Sequence, residues 1–245
     1  MAPPRSVGCG ATVFVGHPTP YETGERRGYR TSSWRKEGEG IVSHDLYVLD
    51  MDGMQQSAVD LNDPRNLAFD YMRRIADLIN AMPEGRLRVL HVGGAAMTLA
   101  RYVAATRPRS AQVVLEPSVE LIEQVRAEAP LPARSGIKVR PTTGQEGVLA
   151  LRDASWDVVI LDAFEGGLVP RELTARPFVE QVRRVLSPQG IFIANLVDKP
   201  PFPAVRDFVA LARDLGAPLV GMEPATYKGR RSGNVIIACG SVPTR

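Results

Sequence analysis

The chain has 245 residues, of which 44% are hydrophobic and 23% charged, with a formal net charge of +3. That length allows one large domain and a small appendage, and the composition excludes a disordered or collagen-like chain. No apolar run approaches the ~20 residues that span a bilayer. The N-terminal stretch MAPPRSVGCGATVFVGHPTP has no hydrophobic signal core, and Cys9 and Cys239 form neither a disulfide framework nor a metal-ligand spacing. A cytoplasmic protein with no metal is expected. The basic clusters Arg26-Arg27, Arg35-Lys36 and Lys228-Gly229-Arg230-Arg231 are small and have no interleaved aromatics. They argue against a nucleic-acid platform.

In chain order, residues 1–40 are rich in Gly, Pro, Ser and Arg and read as a loop-rich arm. Ala11 to Val15 is a candidate short strand within it, and His17 a solvated loop residue. Residues 41–62 read as a β-hairpin region, with Asp45–Leu49 and Gln56–Asp60 flanking a turn at Asp52-Gly53. Residues 63–245 form the main domain. Asp63 is the expected N-cap of a helix with Pro64 in its first turn. Leu67, Tyr71, Ile75, Leu78 and Met82 recur at helical spacing, and Pro83-Glu84-Gly85 ends the helix.

The next stretch, LRVLHVGGAAMTLARYVAATRPRSAQVVLE, organises the rest. Leu87–Val92 is a buried strand, Gly93-Gly94 a turn, Ala95–Thr106 a helix and Gln112–Leu115 a second strand ending on Glu116. Glycines let a backbone approach a ligand closely, and an acid 22 residues after Gly94 can accept both hydroxyls of a ribose. Any parallel α/β domain could also use this turn without a ligand.

Further on, a helix is expected over Val119–Ala129, a strand over Ile137–Val139 and a helix over Gln145–Leu151. Trp156–Leu161 is a strand ending at Asp162, and Ala163–Arg171 a loop. A helix over Thr174–Leu186, a strand over Ile191–Val197 and a helix over Pro203–Leu215 follow. Leu219–Met222 and Asn234–Ala238 close the sheet as an antiparallel pair. The fold class is α/β: a Rossmann-like, seven-stranded, mostly parallel sheet with helices on both faces, preceded by a small N-terminal β-hairpin region. In such sheets ligands bind at the carboxyl ends of the strands, which here carry Gly93-Gly94, Glu116, Pro141-Thr142-Thr143 and Asp162. Asp162 can equally serve as a turn cap and Glu165 as a solvated loop residue. His91 reads as a packed core histidine, Tyr227 and Trp156 as packing residues, and His44 has no assigned role.

Four segments resemble the spermidine synthase family, the polyamine aminopropyltransferases. Asp52-Gly53-Met54-Gln55-Gln56 is similar to the family hairpin D-G-x-x-Q, and VLHVGG to its first nucleoside motif. Asp157 through Asp162, followed by Glu165, is similar to the D-x-x-D active-site segment. PFVEQVRRVLSPQGIFIAN is similar to the helix and strand after it. The last two segments are shared with class I S-adenosylmethionine methyltransferases. The resemblance implies a nucleoside ligand: S-adenosylmethionine, its decarboxylated form or methylthioadenosine. It also implies a small amine as acceptor. By position it implies that Gly93, Gly94, Glu116, Thr143 and Gln56 hold the nucleoside, with Glu116 on the ribose, and that Asp162 and Glu165 receive the nucleophile. One carboxylate would orient the amine while the other takes its proton. A homodimer is compatible with this reading.

The chain departs from the family at three places. Gly93-Gly94-Ala95-Ala96-Met97 lacks the acid that the family sets against the aminopropyl ammonium. Thr142-Thr143 replaces the Gly-Asp that reads adenine. Phe69-Asp70 replaces a Tyr-His pair, which makes Asp70 the candidate substitute acid on the substrate side. Two function classes follow: a transferase that moves aminopropyl or methyl from a sulfonium nucleoside, and a synthase-like scaffold that binds ligand or runs a non-transfer reaction.

Overall fold

The computed structural model describes residues 5–7, 11–15, 46–51 and 54–243, with side chains for 11–12, 46–49 and 57–243. The expected turn at Asp52-Gly53, His17, His44 and most of the N-terminal arm lie outside the described residues.

The chain opens with β1 (Arg5–Val7) and β2 (Ala11–Val15), followed by the hairpin β3 (Leu46–Met51) and β4 (Met54–Asp60). The first long helix, α1, runs over Asp70–Ala81 and therefore starts later than Asp63-Pro64 suggest. The carboxylate of Asp60 accepts the amides of Asn62 and Asp63 at 3.0 Å and the Asn66 side chain at 2.8 Å. It fixes a turn where the local signals read as a cap, and the helix waits for Asp70. Leu67 is thus outside the helix but still buried in the core.

Then come β5 (Arg88–Val92), α2 (Thr98–Thr106), β6 (Ala111–Leu115), α3 (Val119–Glu128), β7 (Ile137–Arg140) and α4 (Gly144–Leu149). The helix expected from Ala95 begins at Thr98 because Ala95 and Met97 adopt left-handed backbone angles, φ 41° and 60°. Beyond β8 (Trp156–Leu161) lie a 3₁₀ turn (Arg171–Thr174), α5 (Arg176–Val185), β9 (Leu186–Asp198), α6 (Pro203–Ala212), β10 (Leu219–Met222), α7 (Pro224–Tyr227) and β11 (Gly233–Gly240).

Among the described residues the main sheet has nine strands, in the order β1-β2-β10-β11-β9-β8-β5-β6-β7. The seven expected strands are all there. β2 adds parallel to β10 and β1 antiparallel to β2, extending one edge. β5 through β9 are mutually parallel, and β11 runs against both β9 and β10. One core layer packs Val179, Val182, Phe208 and Val209 onto the sheet, and the opposite layer packs Ile75, Ile79, Tyr102 and Val103. The hairpin lies over α2 and α3 through Tyr47, Leu49 and Val59. The Tyr47 hydroxyl donates to Glu128 at 2.7 Å.

The chain leaves β5 toward β6 on one side and has β8 on the other, so the switch point of the sheet lies between β5 and β8. At that point Gly93 has φ +95°, and a Cβ there would sit 2.3 Å from the Asp162 carbonyl oxygen. Gly85 has φ +110° with nothing within 4 Å. Gly85→Ala should therefore cost only backbone strain, about 1–3 kcal/mol. Gly93→Ala should cost that plus an overpacking penalty of about 1–3 kcal/mol. Urea midpoints of the two variants test this, and equal losses would show that the close approach is relaxed at no cost.

Candidate active site

A cleft of about 390 Å³ opens at the carboxyl ends of β5, β6 and β8. This is within the range of small-ligand sites. Its walls come from the turn after β5, from Glu116 through Ser118, from Thr143 through Gln145, from Asp162 through Glu165, and from Glu172.

The turn is held from both sides. The Gly93 amide donates to the Leu115 carbonyl at 2.9 Å, and the Asp162 amide to the Val92 carbonyl at 2.9 Å. The Arg101 guanidinium donates to the Ala96 carbonyl at 3.1 Å while also binding the Ala129 and Pro130 carbonyls, which ties the turn to the end of α3.

Glu116 is 8% exposed. Its Oε2 accepts the amides of Gly94 at 3.0 Å and Ala95 at 3.4 Å, and its Oε1 accepts the amide of Ser118 at 3.1 Å. Three amides aim the carboxylate along the cleft wall. Because a carboxylate has about four acceptor positions, one remains for a ligand hydroxyl. Glycine turn, aimed carboxylate and volume together fit an adenosine-type ligand. Among the described residues, no group of three or more His, Cys, Asp or Glu side chains is arranged to hold a metal ion.

Thr143 lines the same cleft but already has two tasks. Its hydroxyl caps α4 by accepting the Glu146 amide at 3.3 Å, and it donates to the Glu146 carboxylate at 3.0 Å. Gln56 lies on β4, and its side chain is outside the described residues. Asp70, expected on the substrate side, does not line the cleft. It pairs with Arg73 one helical turn along α1, where the opposite charge lies within i,i+3 reach. Glu165 is exposed at the cleft mouth, its backbone bridged to Leu168.

Asp162 sits at the cleft floor. The Asn195 side chain donates to its Oδ1 at 2.8 Å, and the Tyr71 hydroxyl approaches its Oδ2 at 3.4 Å. Burial raises its pKa from 3.8 to about 6, against the lowering effect of those two hydrogen bonds. Burial and the nearby Asp162 push the Tyr71 phenol well above its ordinary value. His91 borders the cleft, and its Nε2 meets Gln112 Oε1 at 2.9 Å. Burial drops its pKa to about 4, so it is a neutral packed side chain at physiological pH.

Tyr71 and Asn195 were not legible as site residues. Tyr71 reads as one more member of an apolar helical face. Its signal is that a buried tyrosine hydroxyl needs a partner. Asn195 is a single amide inside the apolar run Ile191–Val197, and such a residue is retained only with a polar partner.

A carboxyl whose pKa is raised on folding destabilises the fold once it ionises. Below 3.8 both states are neutral. Between 3.8 and 6 the folded state binds more protons, so stability falls as pH rises through this window, and above 6 the full penalty is present. Asp162→Asn should therefore stabilise the protein above pH 6 by about 1–3 kcal/mol, with the difference closing as pH falls toward 4. Thermal melts across pH 4–8 measure this, and a pH-independent difference would contradict it.

No family model matches the chain. It is 29% identical over 143 residues to the polyamine aminopropyltransferase of Chromobacterium violaceum, covering 57% of this chain and 53% of that protein. The chain thus spans about half the length of the curated relatives it matches. The crystal structure of a probable spermidine synthase from Corynebacterium glutamicum superposes with a TM-score of 0.76 at 30% identity, covering 83% of this chain and 75% of that one. Human methyltransferase-like protein 13, solved in complex with SAH, shares the fold at a TM-score of 0.59 and 18% identity, covering 73% of this chain and 85% of that one. On the strength of the Corynebacterium match and the curated relatives, the chain belongs to the spermidine synthase-like family of polyamine aminopropyltransferases, on a methyltransferase-type fold.

Proposed function

We propose that the protein alkylates a small amine using a sulfonium nucleoside, S-adenosylmethionine or its decarboxylated form. The observation that carries this reading is Asp162: a half-buried carboxyl with a pKa of about 6, in the same cleft as a carboxylate aimed by the Gly94 and Ala95 amides. A base with a pKa near the working pH has both the right protonation state and a useful driving force.

The nucleoside supplies a carbon made electrophilic by a positively charged sulfur. Glu116 orients the ribose through its free acceptor position. Glu165 and Glu172 at the mouth attract a cationic amine. Asp162 takes the proton that the amine nitrogen sheds as it forms its new bond to carbon and the carbon–sulfur bond breaks. The apolar walls from Met72, Leu99 and Ile160 exclude water from this transfer.

Two observations favour a second reading, methyl transfer or binding without transfer. Ala96 is fully buried where the family carries an acid, and Asp70 is engaged by Arg73. An unpaired tail ammonium is costly to bury, so the decarboxylated form should be the weaker ligand unless Asp162 itself pairs with it.

Parallel incubations separate the readings: putrescine with decarboxylated S-adenosylmethionine, and mixed amines with S-adenosylmethionine, each alongside calorimetry with both nucleosides and methylthioadenosine. Product in either incubation is expected. Nucleoside binding with no product would select the scaffold reading, and no binding at all would remove both. Glu116→Ala should weaken nucleoside binding by about 1.5–3 kcal/mol, the range for a hydrogen bond to a charged group. Unchanged affinity in a folded variant would remove the ribose assignment. Thr143→Ala should cost about 1 kcal/mol of stability through the lost cap. It should barely change the preference for adenosine over inosine nucleosides, because the hydroxyl is already committed to Glu146. A collapse of that preference would show that Thr143 reads the base.

A further inference from the structure

Asn195 lies within β9, between Ala194 and Leu196, and is fully buried. A side-chain amide in such a strand is costly unless its polar atoms are satisfied. Here only half of it is. Nδ2 donates to Asp162 Oδ1 at 2.8 Å, and among the described residues the buried Oδ1 of Asn195 has no partner. Its orientation is set by Asp162, because the reversed amide would put an oxygen against a carboxylate oxygen. The two oxygens of Asp162 are therefore unlike. Oδ1 holds a short bond to a rigid, buried donor, whereas Oδ2 holds only a long contact of 3.4 Å with the Tyr71 hydroxyl. A contact of that length is weak and readily displaced.

We propose that Asn195 is a positioning residue for Asp162: it engages Oδ1 and thereby reserves Oδ2, on the Tyr71 side, for exchanging a proton with the amine acceptor. The proposal rests on the transfer reading and adds to it a residue that fixes which oxygen works. The titratable groups around Asp162 are Tyr71 from α1, His91 from β5, Glu116 beyond β6, and Glu165 and Glu172 after β8. Among the described residues, Tyr71 is the only one of these that hydrogen-bonds Asp162. Loss of the Asn195 donor should therefore appear directly in the titration of Asp162.

Carbon-13 NMR of aspartate-labelled protein follows that carboxyl through a pH titration, with its signal assigned by its loss in Asp162→Asn. Asn195→Leu, of similar volume, should raise the midpoint by about one pH unit or more, as expected when a hydrogen bond to the charged form is removed. It should also move the acid limb of kcat/KM to higher pH by the same amount and leave methylthioadenosine affinity within about twofold, since Asn195 is not in the nucleoside wall. An unmoved midpoint in folded Asn195→Leu overturns the proposal. If that variant does not fold, isosteric Asn195→Asp replaces it. Two adjacent carboxyls should then share a proton, one titrating well above the wild-type midpoint, whereas two independent ordinary titrations would overturn the proposal. The titration needs no acceptor, so a raised midpoint in a protein that transfers nothing upholds the hold of Asn195 on Asp162 and overturns the transfer reading instead.

Discussion

The site depends on the backbone pairing of β5 with β8. Val92 and Leu161 are register partners, and the Asp162 amide donates to the Val92 carbonyl at 2.9 Å. The two strands therefore end side by side, one leading into a glycine turn and the other into a carboxylate. A side chain at Gly93 would collide with the backbone of Asp162. The glycine turn and the candidate base are thus held in one cleft by main-chain geometry rather than by flexible side chains. Precision of this kind is what transfer chemistry requires, since misplacement by about 1 Å can cost on the order of a hundredfold in rate.

That arrangement carries an energetic penalty at its centre. Asp162 is ionised at physiological pH in surroundings that oppose its charge. Asn195 and Tyr71 offset part of the cost, and the fully buried strand residues around them, Ile160, Leu161, Ile193 and Ala194, supply the apolar burial that tolerates the remainder. Stability given up locally for a reactive group is the usual trade at functional sites.

Two buried arginines hold the flanking helices. The Arg107 guanidinium binds the carbonyls of Ile79, Asn80, Met82 and Pro83, closing the C-terminal end of the helix whose first turn carries Tyr71. Arg101 does the same for the end of α3 and also grips Ala96 in the glycine turn. A cation at a helix C-terminus meets both orphan carbonyls and the favourable end of the dipole. Such contacts fix where Tyr71 and the turn stand relative to Asp162, and the Tyr47–Glu128 bond adds the hairpin to the same framework.

The sequence by itself determined the alternation of strands and helices, the glycine turn, the acids at the ends of β6 and β8, and the family. These features are local: apolar periodicity, turn chemistry and motif spacing lie within short windows of chain. Tertiary structure decided the rest. Asp63-Pro64 looks like a helix start, but Asp60 captures the amides next to it and defers the helix to Asp70. Asp70 looks like a free acid beside the substrate, but Arg73 takes it. Thr143 reads as a residue of the ligand wall, and in the fold it lines the cleft while its hydroxyl also caps α4. Tyr71 and Asn195 are 91 and 33 residues from Asp162 in sequence, and nothing in the neighbourhood of either names that partner. A side chain's residue type fixes what it can bond, whereas its actual partner depends on which groups the packed sheet and helices bring within about 3 Å, and that is a property of the folded chain alone.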